Sequence, residues 1–417
     1  MVKLNTASSV EKFVRQAVEA VTITDIHTHL FPPSHGKLLL WGIDELLTYH
    51  YLLAELFTVA PRQLTPPDFL RLAKRQQADL VWEHLFIQRG PLSEAARGVI
   101  TTLNKLGLDV GRRDLQAIRK WFEKQRLEDY LEKVFQVANL DYAVMTNNPF
   151  VAEEAGYWLA GLTCHESLRT ALRIDTLLVN WPAAAKTMSQ AGYKTNLTPD
   201  PAGLAEAKRF LIDWAERIRP LYLAASLSNC FKYPSDAADT AVLDEAILPA
   251  AKELGIPVAL MIGVRKQVNP ALGDGGDGVG VADTEALQHL CQRHGDVKFI
   301  CTMLSRVNQH ELCVLGRKFG NLHIEGCWWF CNNPSIIEEM TRMRIELLGT
   351  AFTAQHSDTR VLDQLIYKWS HTRGILAGVL AEKYRDLFAA GWQPKEDEIR
   401  RDVRALLGGS FEEFLRK

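Results

Sequence analysis

Short apolar, β-branched runs alternate along the chain with stretches whose apolar residues recur three and four positions apart. Eight such runs stand out: Val21–Ile26, Tyr142–Thr146, Thr170–Leu178, Leu221–Ser226, Pro257–Ile262, Lys298–Met303, Leu322–Cys327 and Thr350–His356. Continuous apolar runs of this length predict strands buried on both faces, as in a parallel sheet. Between them, Glu206–Ile218, Thr240–Leu254, Thr284–His294, Gln309–Phe319 and Pro334–Leu348 fit the crossover helices of βαβ units. Strands and helices alternating in this way predict an α/β fold, a (β/α)8 TIM barrel. A doubly wound open sheet ranks second, because no Gly-x-Gly-x-x-Gly follows the first run.

The first connection breaks the regular spacing. More than a hundred residues separate His27 from Tyr142, and helical periodicity runs through Lys37–Thr58, Pro67–Phe86, Leu92–Lys105, Arg113–Lys124 and Leu127–Val137. The predicted organisation is therefore residues 1–35 for an N-terminal helix and the first strand, and 36–138 for a helical insertion that caps the site. Residues 139–361 form the rest of the barrel, and 362–417 a C-terminal helical segment. The Gly- and Asp-rich stretch Gly273–Gly280 reads as a mobile loop over the barrel mouth.

Composition narrows the partners. With 417 residues, 47% hydrophobic and 24% charged, the chain suits one large barrel or two domains. Its 48 basic and 50 acidic residues balance, so no field points to nucleic acid or an anionic membrane. No run is long enough to span a membrane, and Met1–Val10 lacks an apolar signal core, so a cytoplasmic protein is expected. The seven cysteines include no C-x-x-C pair, which argues against a disulfide framework and a zinc ribbon.

The chemistry gathers at strand ends. His27 and His29 stand two apart where the first run ends, and in an extended strand such residues project to one side, a geometry suited to a divalent metal. Leu30-Phe31-Pro32-Pro33 turns the chain away at once, at the end of a strand where barrel enzymes place their chemistry. After the last run, His356-Ser357-Asp358-Thr359-Arg360 offers Asp358 as a third ligand and as a proton shuttle. Its bland alternative is a cap for a helix starting near Val361. Arg173, Arg265, Arg306 and Arg360 all follow strands, and guanidinium forks converging on a barrel mouth point to an anionic substrate such as an acid sugar. Trp328 and Trp329 suit either rim packing or a sugar face. From the insertion, Trp41, His50 and Tyr51 are placed to reach the site.

These residues, in this order, resemble the uronate (glucuronate) isomerases of the amidohydrolase superfamily. The resemblance rests on Asp25-Ile26-His27-Thr28-His29-Leu30, Trp41, His50-Tyr51, Thr146-Asn147-Asn148-Pro149, Arg173-Ile174-Asp175, Ile262-Gly263, Gly326-Cys327-Trp328-Trp329-Phe330 and Ser357-Asp358-Thr359-Arg360, nearly the whole chain. It implies one divalent metal, zinc first with manganese, iron or cobalt as alternatives, held by His27, His29 and Asp358. It implies Asp358 and Tyr51 as catalytic groups, with Arg173, Arg360, His50, Trp328 and Arg265 around a sugar acid. The implied reaction is glucuronate to fructuronate or galacturonate to tagaturonate, by a homo-oligomer.

The chain departs from the family pattern at four places. Met261 stands where the family has histidine, Asn229 where it has an aspartate, and Asn147-Asn148 where it has an acidic pair, while the arginine after strand five is either Arg265 or replaced by Lys266. Two enzymatic readings stay open on this evidence: a divergent isomerase, or a hydrolase or decarboxylase acting on another carboxylated small molecule. A sugar-acid binding protein without turnover is the third.

Overall fold

The computed structural model describes residues 4–162 and 164–417; Thr163 and the start of the N-terminal segment, Met1–Lys3, lie outside the described residues. The chain begins with the amphipathic helix Ala7–Ala20, started by Thr6, whose hydroxyl accepts from the Ser9 amide. Its apolar face, Val10, Phe13, Val14, Ala17 and Val18, is buried, and it packs on the long C-terminal helix Gln364–Ala389.

The sheet then runs through β1 (Ile23–Thr28), β2 (Leu140–Asn147), β3 (Leu168–Arg173), β4 (Leu223–Ser228), β5 (Val258–Arg265), β6 (Gly278–Val279), β7 (Phe299–Met303) and β8 (Leu322–Ile324). Their order is β1-β2-β3-β4-β5-β7-β8, every pair parallel, with the two-residue β6 added antiparallel to β5. Helices cross over between the parallel strands, the arrangement of a (β/α)8 barrel.

The last stave corrects the expected strand Thr350–His356. It pairs with its barrel neighbours through single bridges, Thr353 with Glu325 and Thr359 with Thr28, rather than along a ladder. Between those bridges the ladder is lost, because the amides find other acceptors. Ala354 N–H donates to Leu406 O (2.9 Å), His356 N–H to the Gln355 side chain (3.1 Å) and Ser357 N–H to Asp25 Oδ1 (3.0 Å). The barrel still closes, since His29 N–H reaches Thr359 O at 2.7 Å and Asp358 N–H reaches His27 O at 3.1 Å.

Two other strands end early. β3 stops at Arg173, because Asp175 opens the short helix Asp175–Val179. β8 stops before Gly326, whose φ of +60° suits glycine and whose absent Cβ leaves room for His356 Nδ1.

Inside the barrel a core of Ile26, Val144, Ala171, Ala224, Ala259, Met261 and Ile300 is closed below by Phe411 and Phe414 of the helix Ser410–Arg416. Outside it, a larger apolar cluster seals the helices to the sheet. The insertion is helical, and buried Arg119 holds it together, bonding Asp44 (2.8 Å), Asp79 (2.7 Å) and Arg75 O (3.0 Å). It is tied to the barrel through buried Asp363, which accepts from Gly42 N–H (2.7 Å) and the Tyr130 hydroxyl (2.5 Å). Among the described residues, no helix is long and apolar enough to cross a membrane, and all seven cysteines are free.

At the C-terminal end of β2, Glu154 of the helix Ala152–Leu159 accepts from Asn148 N–H (2.8 Å) and Asn147 Nδ2 (3.1 Å). Burial pushes its carboxyl up to about 7, against the pull of those hydrogen bonds. A raised folded-state pKa gives stability that is full below the ordinary value of 4.5 and is lost as pH rises through about 7. Glu154→Gln is therefore expected to stabilise the protein by about 1–3 kcal/mol at pH 8 and to add nothing near pH 4.5. Thermal melts of both proteins at the two pH values check this.

Candidate active site

A β-bulge shapes the first half of the site. Three steps of β1, Asp25 to Thr28, lie against two of β2, Ala143 to Met145. Ile26 thus stays in the barrel core while its neighbour His27 joins His29 at the rim, their rings 5.2 Å apart. Asp358 enters from the last stave with a left-handed backbone (φ +50°), and its Oδ1 lies 3.2 Å from His29 Nε2 and 3.7 Å from His27 Nε2.

Hydrogen bonding sets the tautomers of both imidazoles. The Thr146 hydroxyl donates to Thr28 O (3.0 Å), so its oxygen accepts from His29 Nδ1–H (3.0 Å). Likewise, the Tyr222 hydroxyl donates to Ile26 O (2.6 Å) and accepts from His27 Nδ1–H (3.4 Å). Both Nε2 atoms are left as bare lone pairs facing a carboxylate oxygen, and His27 Nε2 is buried without a hydrogen-bond partner. Three electron-rich atoms in one buried place repel one another unless a cation sits among them.

The charge states agree. Burial lowers His27 well below its ordinary value and His29 to about 4, keeping both neutral. At Asp358 burial opposes ionisation, but the positive charge around it, that of buried Lys368 included, outweighs burial and holds the carboxyl below the usual carboxylate range. Two neutral imidazoles and a carboxylate, with ligand atoms within 4.8 Å of one another, form a set that can hold a metal ion.

A cavity of about 70 Å³ opens over His29 and Asp358, walled by Arg173, Arg360, Lys266, Trp328 and His50. Arg173 is held as a fork on Asp175, with Nε and Nη2 both at 2.8 Å, and Asp175 is in turn fixed by Ser226 N–H at 2.7 Å. Arg360 spends one nitrogen on Asp274 (2.9 Å). The Gly- and Asp-rich loop indeed crosses the mouth, anchored there by Asp274 and by Asp277, which pairs with Lys266 at 2.6 Å.

Two arginines fall outside. Arg306 is exposed and pairs with Glu339 at 2.8 Å. Arg265 is also exposed, and the cause is a bulge at Gly263 (φ +132°), where Leu227 pairs Ile262 but Ser228 pairs Val264. Beyond the extra residue the alternation flips, so Val264 and Lys266 face the cavity and Arg265 faces out.

The insertion supplies Tyr49 and His50 to this cavity, whereas Tyr51 lines an adjoining one of about 280 Å³ that shares His50 and Trp329 with it. The division follows from helix geometry, since successive residues at the start of His50–Val59 point about 100° apart. The Tyr51 hydroxyl and His50 Nε2 are buried without partners. Burial holds Tyr51 neutral, well above its ordinary value, and lowers His50 to about 3.

Met261 and Asn229 lie off the cavity. Met261 fills the barrel core, and the Asn229 amide reaches Val281 O at 3.5 Å. Sequence reasoning missed Lys368, whose ammonium donates to the carbonyls of Ser357 and Asp358, and the buried pair His356–Glu325 (3.0 Å) beside His27. It also missed buried Asp25, which accepts from Ser357 N–H (3.0 Å) and Trp369 Nε1 (2.9 Å) and so ties β1 to the last stave and the C-terminal helix. A polar residue within a barrel stave was the one available signal for His356.

The fold and site define a class: barrel proteins with a His-x-His and Asp cluster at the C-terminal rim that could hold a metal ion. Among solved structures the chain is similar to a uronate isomerase from Bacillus halodurans, with a TM-score of 0.97 and 48% identity over 99% of this chain and 97% of that one. A uronate isomerase from Thermotoga maritima (TM-score 0.76, 14% identity, 97% of each chain) and a glucuronate isomerase from Caulobacter crescentus (0.78, 15%, 100% of this chain and 96% of that) share the fold. No family profile and no curated protein matches. The chain belongs to the uronate isomerase family.

Proposed function

We propose that the protein is a metal-dependent hexuronate isomerase, converting glucuronate to fructuronate or galacturonate to tagaturonate. The observation that carries this is the convergence of two bare imidazole nitrogens on Asp358 beside Arg360, in a chain 48% identical to a uronate isomerase. His27, His29 and Asp358 would hold the metal, with zinc best suited to two imidazoles and a carboxylate, and manganese, iron or cobalt as alternatives. A bound divalent ion would polarise a substrate oxygen as a Lewis acid.

The chain's own groups supply the rest. Arg360, with part of its fork free, and Arg173 take the substrate carboxylate. Isomerisation removes a proton at C2, passes through a cis-enediol and returns a proton at C1, while the O2 proton is lost and O1 gains one. Asp358, the ionised carboxylate at the site, takes the proton, and Tyr51, neutral with an unpartnered hydroxyl, donates one. Since Tyr51 lines the adjoining cavity, the substrate extends past His50 and Trp329, whose indole, like that of Trp328, offers a sugar face. The helical segment 36–138 serves as the cap that excludes water.

The alternative of a hydrolase or decarboxylase drew on Met261 and Asn229, and neither side chain lines the cavity. The test is direct. Purified protein with zinc or manganese, incubated with each hexuronate, is expected to give the ketose by NMR. No ketose from any hexuronate, with bound metal verified, overturns the reading.

A further inference from the structure

We infer that Lys368 is a positioning residue that sets the turn presenting the Asp358 carboxylate to His27 and His29. The inference rests on the metal reading of that cluster. Lys368 lies on the helix Gln364–Ala389 and is 4% exposed. Its Nζ donates to Ser357 O and, at 3.5 Å, to Asp358 O. Among the described residues no carboxylate oxygen lies within ion-pair distance of it. A buried ammonium in contact with no carboxylate is costly, and a neutral residue of similar volume would avoid that cost. Stability alone therefore does not account for a lysine here.

Its contacts show what it does. The turn 357–359 is held on its inner side by Ser357 N–H to Asp25, Asp358 N–H to His27 O and His29 N–H to Thr359 O. The carbonyls of 357 and 358 face away from those bonds, and Asp358 is held in the left-handed region that a non-glycine residue rarely enters. Lys368 is the charged donor to both carbonyls, while Asn332 Nδ2 adds a 3.4 Å contact to Ser357 O alone. Because the Asp358 side chain leaves the backbone between those carbonyls, a change in their orientation swings the carboxylate away from the imidazoles.

The test measures zinc affinity by chelator competition and the cobalt(II) electronic spectrum in the parent, K368M and K368Q, with H27A as the control for the site. K368M is expected to weaken zinc binding about 10–100-fold, the usual effect of losing a partner that orients a ligand, and to alter the cobalt spectrum. K368Q, which keeps a donor for Ser357 O, is expected to recover part of that loss. The metal-free melting temperature of K368M is expected to stay close to the parent's, because the buried ammonium that is lost makes no direct ion pair and a methionine of similar volume fills its place. Zinc affinity in K368M within about threefold of the parent, with an unchanged spectrum, overturns the inference and leaves the metal reading intact. Affinity that falls only together with metal-free stability overturns it in favour of a packing role. A parent that binds no more metal than H27A overturns both readings together.

Discussion

His27→Ala is expected to abolish metal retention and to lower kcat/KM at least about 1,000-fold, the loss that follows when several kcal/mol of transition-state stabilisation from a bound ion disappears. Elemental analysis should find about one equivalent of metal in the parent and close to none in the variant. The magnitude follows from the geometry. His27 Nδ1 is committed to Tyr222, so Nε2 is its only free ligand atom, and His29 with Asp358 cannot form a stable three-ligand site alone. Equal metal in both proteins would show that the cluster is not the site. A far-UV spectrum and a metal-free melt separate this effect from misfolding, since His27 is 1% exposed and its removal leaves a cavity.

Asp358→Asn is the second large effect. Asparagine keeps the volume and an oxygen toward His29 but accepts no proton at neutral pH. A loss of about 100- to 10,000-fold in kcat is expected, the usual range for removing a general acid–base group. Metal affinity should fall less than in His27→Ala, because the amide oxygen remains a weak ligand. If metal content and kcat fell in strict proportion, Asp358 would be a ligand only and the proton would travel by another group.

Much of this arrangement was legible in the chain, and the reasons are local. His27 and His29 could be paired from spacing alone, although it takes the bulge in β1 to let His27 share the inner side of the barrel with its neighbour Ile26. Asp358 and Arg360 were visible because they follow the last apolar run. That run predicts a strand, yet the side chains of Asp25 and Gln355 capture its amides, a competition that hydrophobic pattern does not encode.

Arg265 illustrates the opposite failure. Counting by twos from Met261 puts it at the mouth, but Gly263 adds one residue to the strand and hands the position to Lys266. Met261 and Asn229 read as lost chemistry only while their orientation was unknown; the former packs the core and the latter braces a loop. Lys368 had no signature at all, since its partners are backbone carbonyls ten and eleven positions upstream, and a backbone carbonyl has no identity in sequence.

The tie from Trp369 through Asp25 to Ser357 has a consequence for the order of events during synthesis. The two imidazoles leave the ribosome more than three hundred residues ahead of the carboxylate they share and of the indole and ammonium that steady it. At about 5–20 residues per second, nascent His27 and His29 wait roughly 15–65 s before the third ligand exists. The three-ligand cluster is therefore complete only once the chain has been made past Trp369, so any ion that needs all three ligands is captured late, when the rest of the barrel already stands.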